Sequence, residues 1–281
     1  MTGTRGASSP PLYRGMHVCR RVMGLALAIA LCGIAGAVRA EDLAAFYRVT
    51  WAGLPAAEVR LNLGGTESSY RDEIRIETQG LPRWLTKFRT KVEGEGRLAK
   101  DGTVAPARYD ARYDLRKRHD QHASLHFVER DGAVVAERTA EDTSHKPPLP
   151  EMHRRDVLDP IAALAFIRQE LRVKPPKEGD EFAIRVFDNA RRFDVAVRVI
   201  SVGGGGEDTI RLHLTLKPIA GFKGETSEDG DPDSSPRPVD LTLSNDGRLL
   251  PLSLRVSIAF LPVSLSLDHV CASLTRCGPE R

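Results

Sequence analysis

The chain has 281 residues, 41 Lys and Arg against 38 Asp and Glu, and only 6% aromatic residues. Residues 1–40 hold Arg5, Arg14, Arg20, Arg21 and Arg39 and no acid, so without them 36 basic residues face 38 acidic ones, a net charge of −2. A chain so near neutrality has no global field to recruit nucleic acid or anionic lipid, and its basic runs, such as Arg116-Lys117-Arg118, sit among acids as solvated surface.

Arg20 and Arg21 precede the uncharged stretch Val22 to Val38, and Val38-Arg39-Ala40 then offers a cut before Glu41. A positive start, a short apolar core and an A-x-A-like end are the parts of a secretory signal peptide. The alternative is a retained membrane anchor, but the run is at the short end of the ~17–25 residues a span requires and is rich in Ala and Gly. Met16 and Met23 are alternative starts. Leu31 precedes Cys32 where a lipobox needs a small residue, which argues against lipidation. The reading is a periplasmic protein with one β domain over 41–270 and a tail at 271–281.

From there the chain alternates apolar and polar residues, the pattern of a sheet with one buried face. Val59, Leu61 and Leu63 share a face, as do Ile74 and Ile76. Tyr109, Ala111, Tyr113 and Leu115 oppose Arg108, Asp110, Arg112 and Asp114, and Leu125 and Phe127 follow. Gly64-Gly65, Asp101-Gly102 and Asp131-Gly132 separate these runs as tight turns. Pro82 to Phe88 interrupts the alternation as a lip or short helix at the sheet edge, able to touch lipid or a hydrophobic ligand, or else to complete the core.

Near the middle, Asp159 and Pro160 suit the cap and first position of a helix, with Asp156 as an alternative cap. Ile161, Leu164, Ala165, Arg168 and Leu171 fall at helical spacing, which predicts a helix over 157–171. Alternation then resumes through Phe182–Val186, Val195–Val199, Leu212–Leu216, Leu252–Ile258 and Val263–Leu267, with turns at Asp188-Asn189 and Asp246-Gly247 and a flexible tip at Gly203–Gly206. Residues 221–238 read as a mobile acidic loop without the ligand spacing of a calcium site. Cys271 and Cys277 are close enough for a local disulfide in an oxidising compartment. The fold class is therefore mostly β: a long curved antiparallel sheet, half-barrel or open barrel, with one central α-helix packed against it.

The chain holds no HExxH, GxSxG, CxxC or P-loop motif. Gly94-Glu95-Gly96 lies in a strand with no helix after it, so it is no nucleotide fingerprint. His122 and His126 share a polar face while His119 points the other way, and Glu93 and Glu95 stand in a charge ladder with Lys91 and Arg97. Neither group reads as a metal site or a catalytic dyad, and no cofactor is expected.

Several segments stand in a fixed order along the chain: Tyr47-Arg48-Val49-Thr50-Trp51-Ala52-Gly53-Leu54-Pro55-Ala56 with Glu58, Thr78-Gln79-Gly80-Leu81, and the turn at 101–106 with Tyr109. Asp156 to Leu164, running to Arg168, and Leu243 to Leu252 follow. Together, over nearly all of 44–268, they resemble the exported bacterial proteins of domain of unknown function family 3108. The resemblance implies export and fold, and carries no activity.

Three functions remain open. The leading expectation is a periplasmic carrier of a hydrophobic small molecule or lipid, with Trp51, Trp84, Phe88 and Tyr113 lining a cleft between sheet and helix. The second is an envelope scaffold that binds another envelope protein and has a filled core. The third is an enzyme using Asp156, Asp159 or the histidines, and the expectation is that the chain is not one.

Overall fold

The computed structural model describes residues 43–116, 118–143, 147–203, 208–222, 235–258 and 261–271. The leader, Gly204–Gly206, most of the acidic loop and Cys277 lie outside these residues.

Eight strands precede the central helix: β1 (Leu43–Trp51), β2 (Leu54–Leu63), β3 (Gly65–Thr66), β4 (Ser69–Thr78), β5 (Arg89–Leu98), β6 (Val104–Leu115), β7 (Arg118–Arg130) and β8 (Ala133–Arg138). Six follow it: β9 (Glu181–Phe187), β10 (Arg192–Val202), β11 (Thr209–Ala220), β12 (Arg237–Ser244), β13 (Pro251–Ile258) and β14 (Leu261–Cys271). Arg237 and Pro238, expected in the acidic loop, thus open β12. The strands form one sheet in the order β8-β7-β6-β5-β4-β2-β1-β14-β13-β12-β11-β10-β9, with β3 paired to β4. The first and last strands are neighbours in its middle, so its free edges are β8 and β9, the strands that flank the central helix in sequence.

Those edges do not pair with each other; the connecting chain joins them. Ala136 N–H donates to Arg154 O at 2.9 Å and Asp156 N–H to Val134 O at 2.7 Å on the β8 side. Leu158 N–H donates to Arg185 O at 2.8 Å, and Phe187 N–H to Leu158 O at 2.9 Å, on the β9 side. Between these pairings Asp156 takes a φ of 51° and turns the strap. Its carboxylate accepts from Val134 N–H at 3.2 Å, so Asp156 is a corner and not a helix cap. Buried Asn189 locks the closure: Arg138 donates to its Oδ1 at 2.7 Å and to its backbone O at 2.9 Å, and its Nδ2 donates to Asp142 at 2.6 Å. The sheet is a nearly closed antiparallel barrel.

Helix α1 (Gly80–Thr86) lies between β4 and β5 and ends at Lys87, whose φ of 50° stops the helix in the left-handed region. Helix α2 (Pro160–Val173) begins at Pro160 and not at the expected 157, because Asp159 is the cap that serves it: Asp159 accepts from Ile161 and Ala162 N–H, both at 2.9 Å, and Pro160 takes the first position. It runs two residues past the expected end, to Val173. Its burial differs from a single stripe. Ile161, Ala162 and Ala165 belong to a core cluster with Tyr109, Ala111 and Leu125. Ala163, Ile167 and Leu171 join a second cluster with Ile184, Val197 and Leu212, and Leu164 packs against a third with Tyr47 and Leu61. A helix whose sides all meet the wall is an interior element; up to Leu171 α2 is one and plugs the barrel, while Arg172 and Val173 at its end are exposed.

Gly94 is what lets the wall approach the plug. A Cβ there would lie 2.6 Å from the Ile161 Cβ, so the strand accepts no side chain at this point. The Gly94-Glu95-Gly96 run is thereby explained as packing, with Glu95 outside in an ion pair to Arg71 at 2.8 Å. Gly94→Val is expected to destabilise the protein by about 1–3 kcal/mol through overpacking, read as a lower urea midpoint. Glu95→Gln on the outer face should move it by less than about 0.5 kcal/mol; equal effects would contradict the inward packing of Gly94 on α2.

Candidate functional site: an interior polar cluster and an exposed apolar rim

Two places depart from what packing alone requires. The first is inside the barrel. Asp72 occupies an inward position of β4 between Tyr70 and Ile74 and is 1% exposed. One of its oxygens accepts from Gly64 N–H at 3.2 Å, and the other lies 3.9 Å from the Arg168 guanidinium. Arg168 also donates to Arg248 O at 3.1 Å, so it ties α2 to both β4 and the β12–β13 connection. Burial pushes the Asp72 carboxyl up to about 6 against the opposing pull of Arg168, and pushes that of fully buried Asp159 up to about 7 against the pull of its backbone donors. Burial also raises the Tyr47 and Tyr70 hydroxyls and lowers Arg168.

This cluster orients the plug. Asp159 Oδ1 is committed to the helix cap and Asp72 Oδ1 to Gly64, while the hydroxyls of Tyr47 and Tyr70 have no hydrogen-bond partner among the described residues. Tyr70 alone of the five reaches the lining of a surface cleft of about 670 Å³ beside Gly65, Arg71 and Pro106.

The outer face is a set of local ion pairs. Lys91 sits between Glu93 at 2.7 Å and Glu73 at 3.1 Å; of the ladder expected over Lys91, Glu93, Glu95 and Arg97 the first pair forms, while Glu95 pairs with Arg71 on the neighbouring strand. His122 contacts Asp110 at 2.9 Å and His126 contacts Glu137 at 3.4 Å, so the two histidines serve separate acids. The side chain of His119 lies outside the described residues. Among the described residues no group of three His, Cys, Asp or Glu is placed to hold a metal ion. Cys271, the last residue of β14, is disulfide-bonded.

The second departure is the rim where β1 turns into β2, β13 into β14, and β4 into α1. Trp51 pairs with Leu54 across the first turn and with Val263 of β14, and Ala52 N–H donates to Pro262 O at 2.8 Å. Gln79 N–H donates to Ala56 O at 2.7 Å, which seats the start of α1 beside the same turn. Arg116, at the far end of β6, donates to Trp84 O at 3.2 Å. Apolar side chains therefore gather at one end with little cover: Trp84 is 70% exposed, Leu54 60%, Leu261 42% and Trp51 38%.

The four aromatic residues expected to line one cleft are thus divided. Trp51 and Trp84 stand on the rim and Trp84 does not complete the core; Phe88 is half-buried after α1. Tyr113 lines a cleft of about 560 Å³ whose other walls include Arg75, Glu77, Arg89 and Lys91. Sequence reading missed Asp72, whose signal was a carboxylate in the apolar register of β4, and Leu54 and Leu261, which look like ordinary strand residues until the turns bring them together.

The family described as "Protein of unknown function (DUF3108)" matches residues 47–260. The chain belongs to this family. Among solved structures it resembles the crystal structure of a beta-barrel-like protein of domain of unknown function DUF1849 from Brucella abortus, at 13% identity and a TM-score of 0.54. The match covers 84% of this chain and 99% of the other. At that identity the DUF1849 protein speaks to the barrel architecture alone. No curated protein matches this DUF3108 chain.

The two raised carboxyls set a pH dependence. Each binds its proton more tightly folded than unfolded, so its contribution to stability is complete below the unfolded value and is lost as pH rises through about 6 for Asp72 and about 7 for Asp159. Stability should therefore rise on acidification from pH 8 to 5, by on the order of a few kcal/mol. Asp159→Asn keeps an acceptor at the cap and removes the titration. Urea midpoints across that range should flatten in this variant while its helical circular dichroism is retained; a slope as steep as the parent's would exclude Asp159 as a source.

Proposed function

We propose that this chain is an exported, non-enzymatic interaction module of the cell envelope, working through its outer surface and rim while its interior is given over to its own helix. The observation that carries this reading is the burial of α2 against three separate parts of the barrel wall. A sheet face occupied by a helix of the same chain has little apolar area left for cargo. Export is supported by the leader at residues 20–40. Among the described residues no helix is long and apolar enough to cross a membrane. The non-enzymatic part is supported by Asp156 and Asp159, whose carboxylates each accept from backbone N–H groups, and by His122 and His126, which face separate acids.

A carrier of hydrophobic ligands is the competing reading, and the cleft at Tyr113 is what favours it. Its charged walls suit an apolar cargo poorly. Native mass spectrometry of the exported chain, purified without detergent and then incubated with an envelope lipid extract, decides between them. The bare mature mass is expected. A reproducible added mass of an apolar compound would overturn the filled-barrel reading in favour of a carrier.

A further inference from the structure

Both tryptophans of the chain stand on one rim of the barrel, at 38% and 70% exposure, beside Leu54 and Leu261. Tryptophan is the side chain with most to gain from burial, and water-exposed Trp and Leu gathered at one end mark a surface that meets something else. The charge beside them says what. Arg83 and Lys87 are exposed on and just after α1, and neither has an ion pair among the described residues. Arg116 is exposed at the same end, its guanidinium hydrogen-bonded to the Trp84 carbonyl. Arg89 is set aside, because Glu77 and Asp114 stand opposite it in register.

We propose that this rim docks on the surface of an anionic phospholipid bilayer, with Trp51, Leu54, Trp84 and Leu261 entering the headgroup boundary and Arg83, Lys87 and Arg116 meeting lipid phosphates. The inference rests on the outer-surface reading above and names its partner. Trp favours the membrane interface because its ring is apolar and its N–H remains wet, and apolar residues beside cations are the composition of interfacial anchors. The near-neutral charge of the mature chain is compatible with this, because the attraction acts within a Debye length of the surface and needs only the rim's own cations. A protein partner is less well matched: exposed cations at the same end as apolar side chains gain most where every approach meets negative charge.

The rim carries its own reporters, since the chain has only these two tryptophans. The exported chain is floated with vesicles of phosphatidylethanolamine and phosphatidylglycerol, and in parallel with vesicles of phosphatidylcholine alone. Flotation with the anionic vesicles and a blue shift of tryptophan emission are expected, both weakened by added salt. Trp84→Ser and Leu54→Ser, each an exposed position, should weaken binding by about tenfold or more with unchanged circular dichroism. Arg83→Glu combined with Lys87→Glu should abolish the preference for anionic vesicles. Absence of flotation, or flotation that all of these variants retain, overturns the proposal. The two readings fail separately: no flotation with a bare native mass removes the lipid partner alone, whereas an added apolar mass removes the filled barrel.

Discussion

A sheet whose strands alternate apolar and polar residues carries one apolar face, and here that face is wrapped around a helix from the same chain. Everything else in the molecule follows from accommodating α2. The helix is rich in alanine, so the walls approach from several directions, and at Gly94 the approach is close enough that the strand can bear no side chain. The three apolar clusters meet on different sides of this one cylinder. Such a core is specified by close packing and tolerates little extra volume.

Polar chemistry sets how the plug sits. Asp159 satisfies the first free N–H groups of α2, and Arg168 nine residues later reaches Asp72 and the Arg248 carbonyl. Charges this deeply placed add little net stability compared with apolar substitutes, but they penalise a rotated or shifted helix by leaving a buried ion unpaired. The same economy appears at the seam. The strap through Asp156 satisfies backbone groups of β8 and β9 that direct pairing would have used, and Asn189, at a φ of 80°, supplies a buried amide that both Arg138 and Asp142 engage. An open sheet edge invites pairing with other chains, and the strap covers this one.

With the interior occupied, the unusual chemistry moves outward. The rim departs from an ordinary surface because two tryptophans and two leucines share it with Arg83 and Lys87, which have no ion pair among the described residues. The likeness to the beta-barrel-like DUF1849 protein places the architecture among known barrels and leaves the rim as a property of this chain's own residues.

Much of the barrel was legible in the residues themselves. Alternation at Val59-x-Leu61-x-Leu63 or Val195-x-Val197-x-Val199 identifies a strand and its inner face, because successive side chains on a pleated backbone point to opposite sides. Asp-Gly pairs mark turns, and Asp159-Pro160 marks a helix start, for reasons that are local to two or three residues. The resemblance to the DUF3108 family was legible for the same reason, as short segments in a fixed order. What alternation cannot state is which strand lies beside which. That β1 pairs with β14, that β8 and β9 are joined by a strap, and that α2 is surrounded and not merely laid on a face are decided by contacts between residues far apart in the chain. The rim shows the division plainly. Trp51 and Trp84 stand out in sequence as aromatics, assigned there to a cleft, while Leu54 and Leu261 do not stand out at all, and only the antiparallel order of the strands, which alternates the ends of the barrel at each turn, brings the four to one edge.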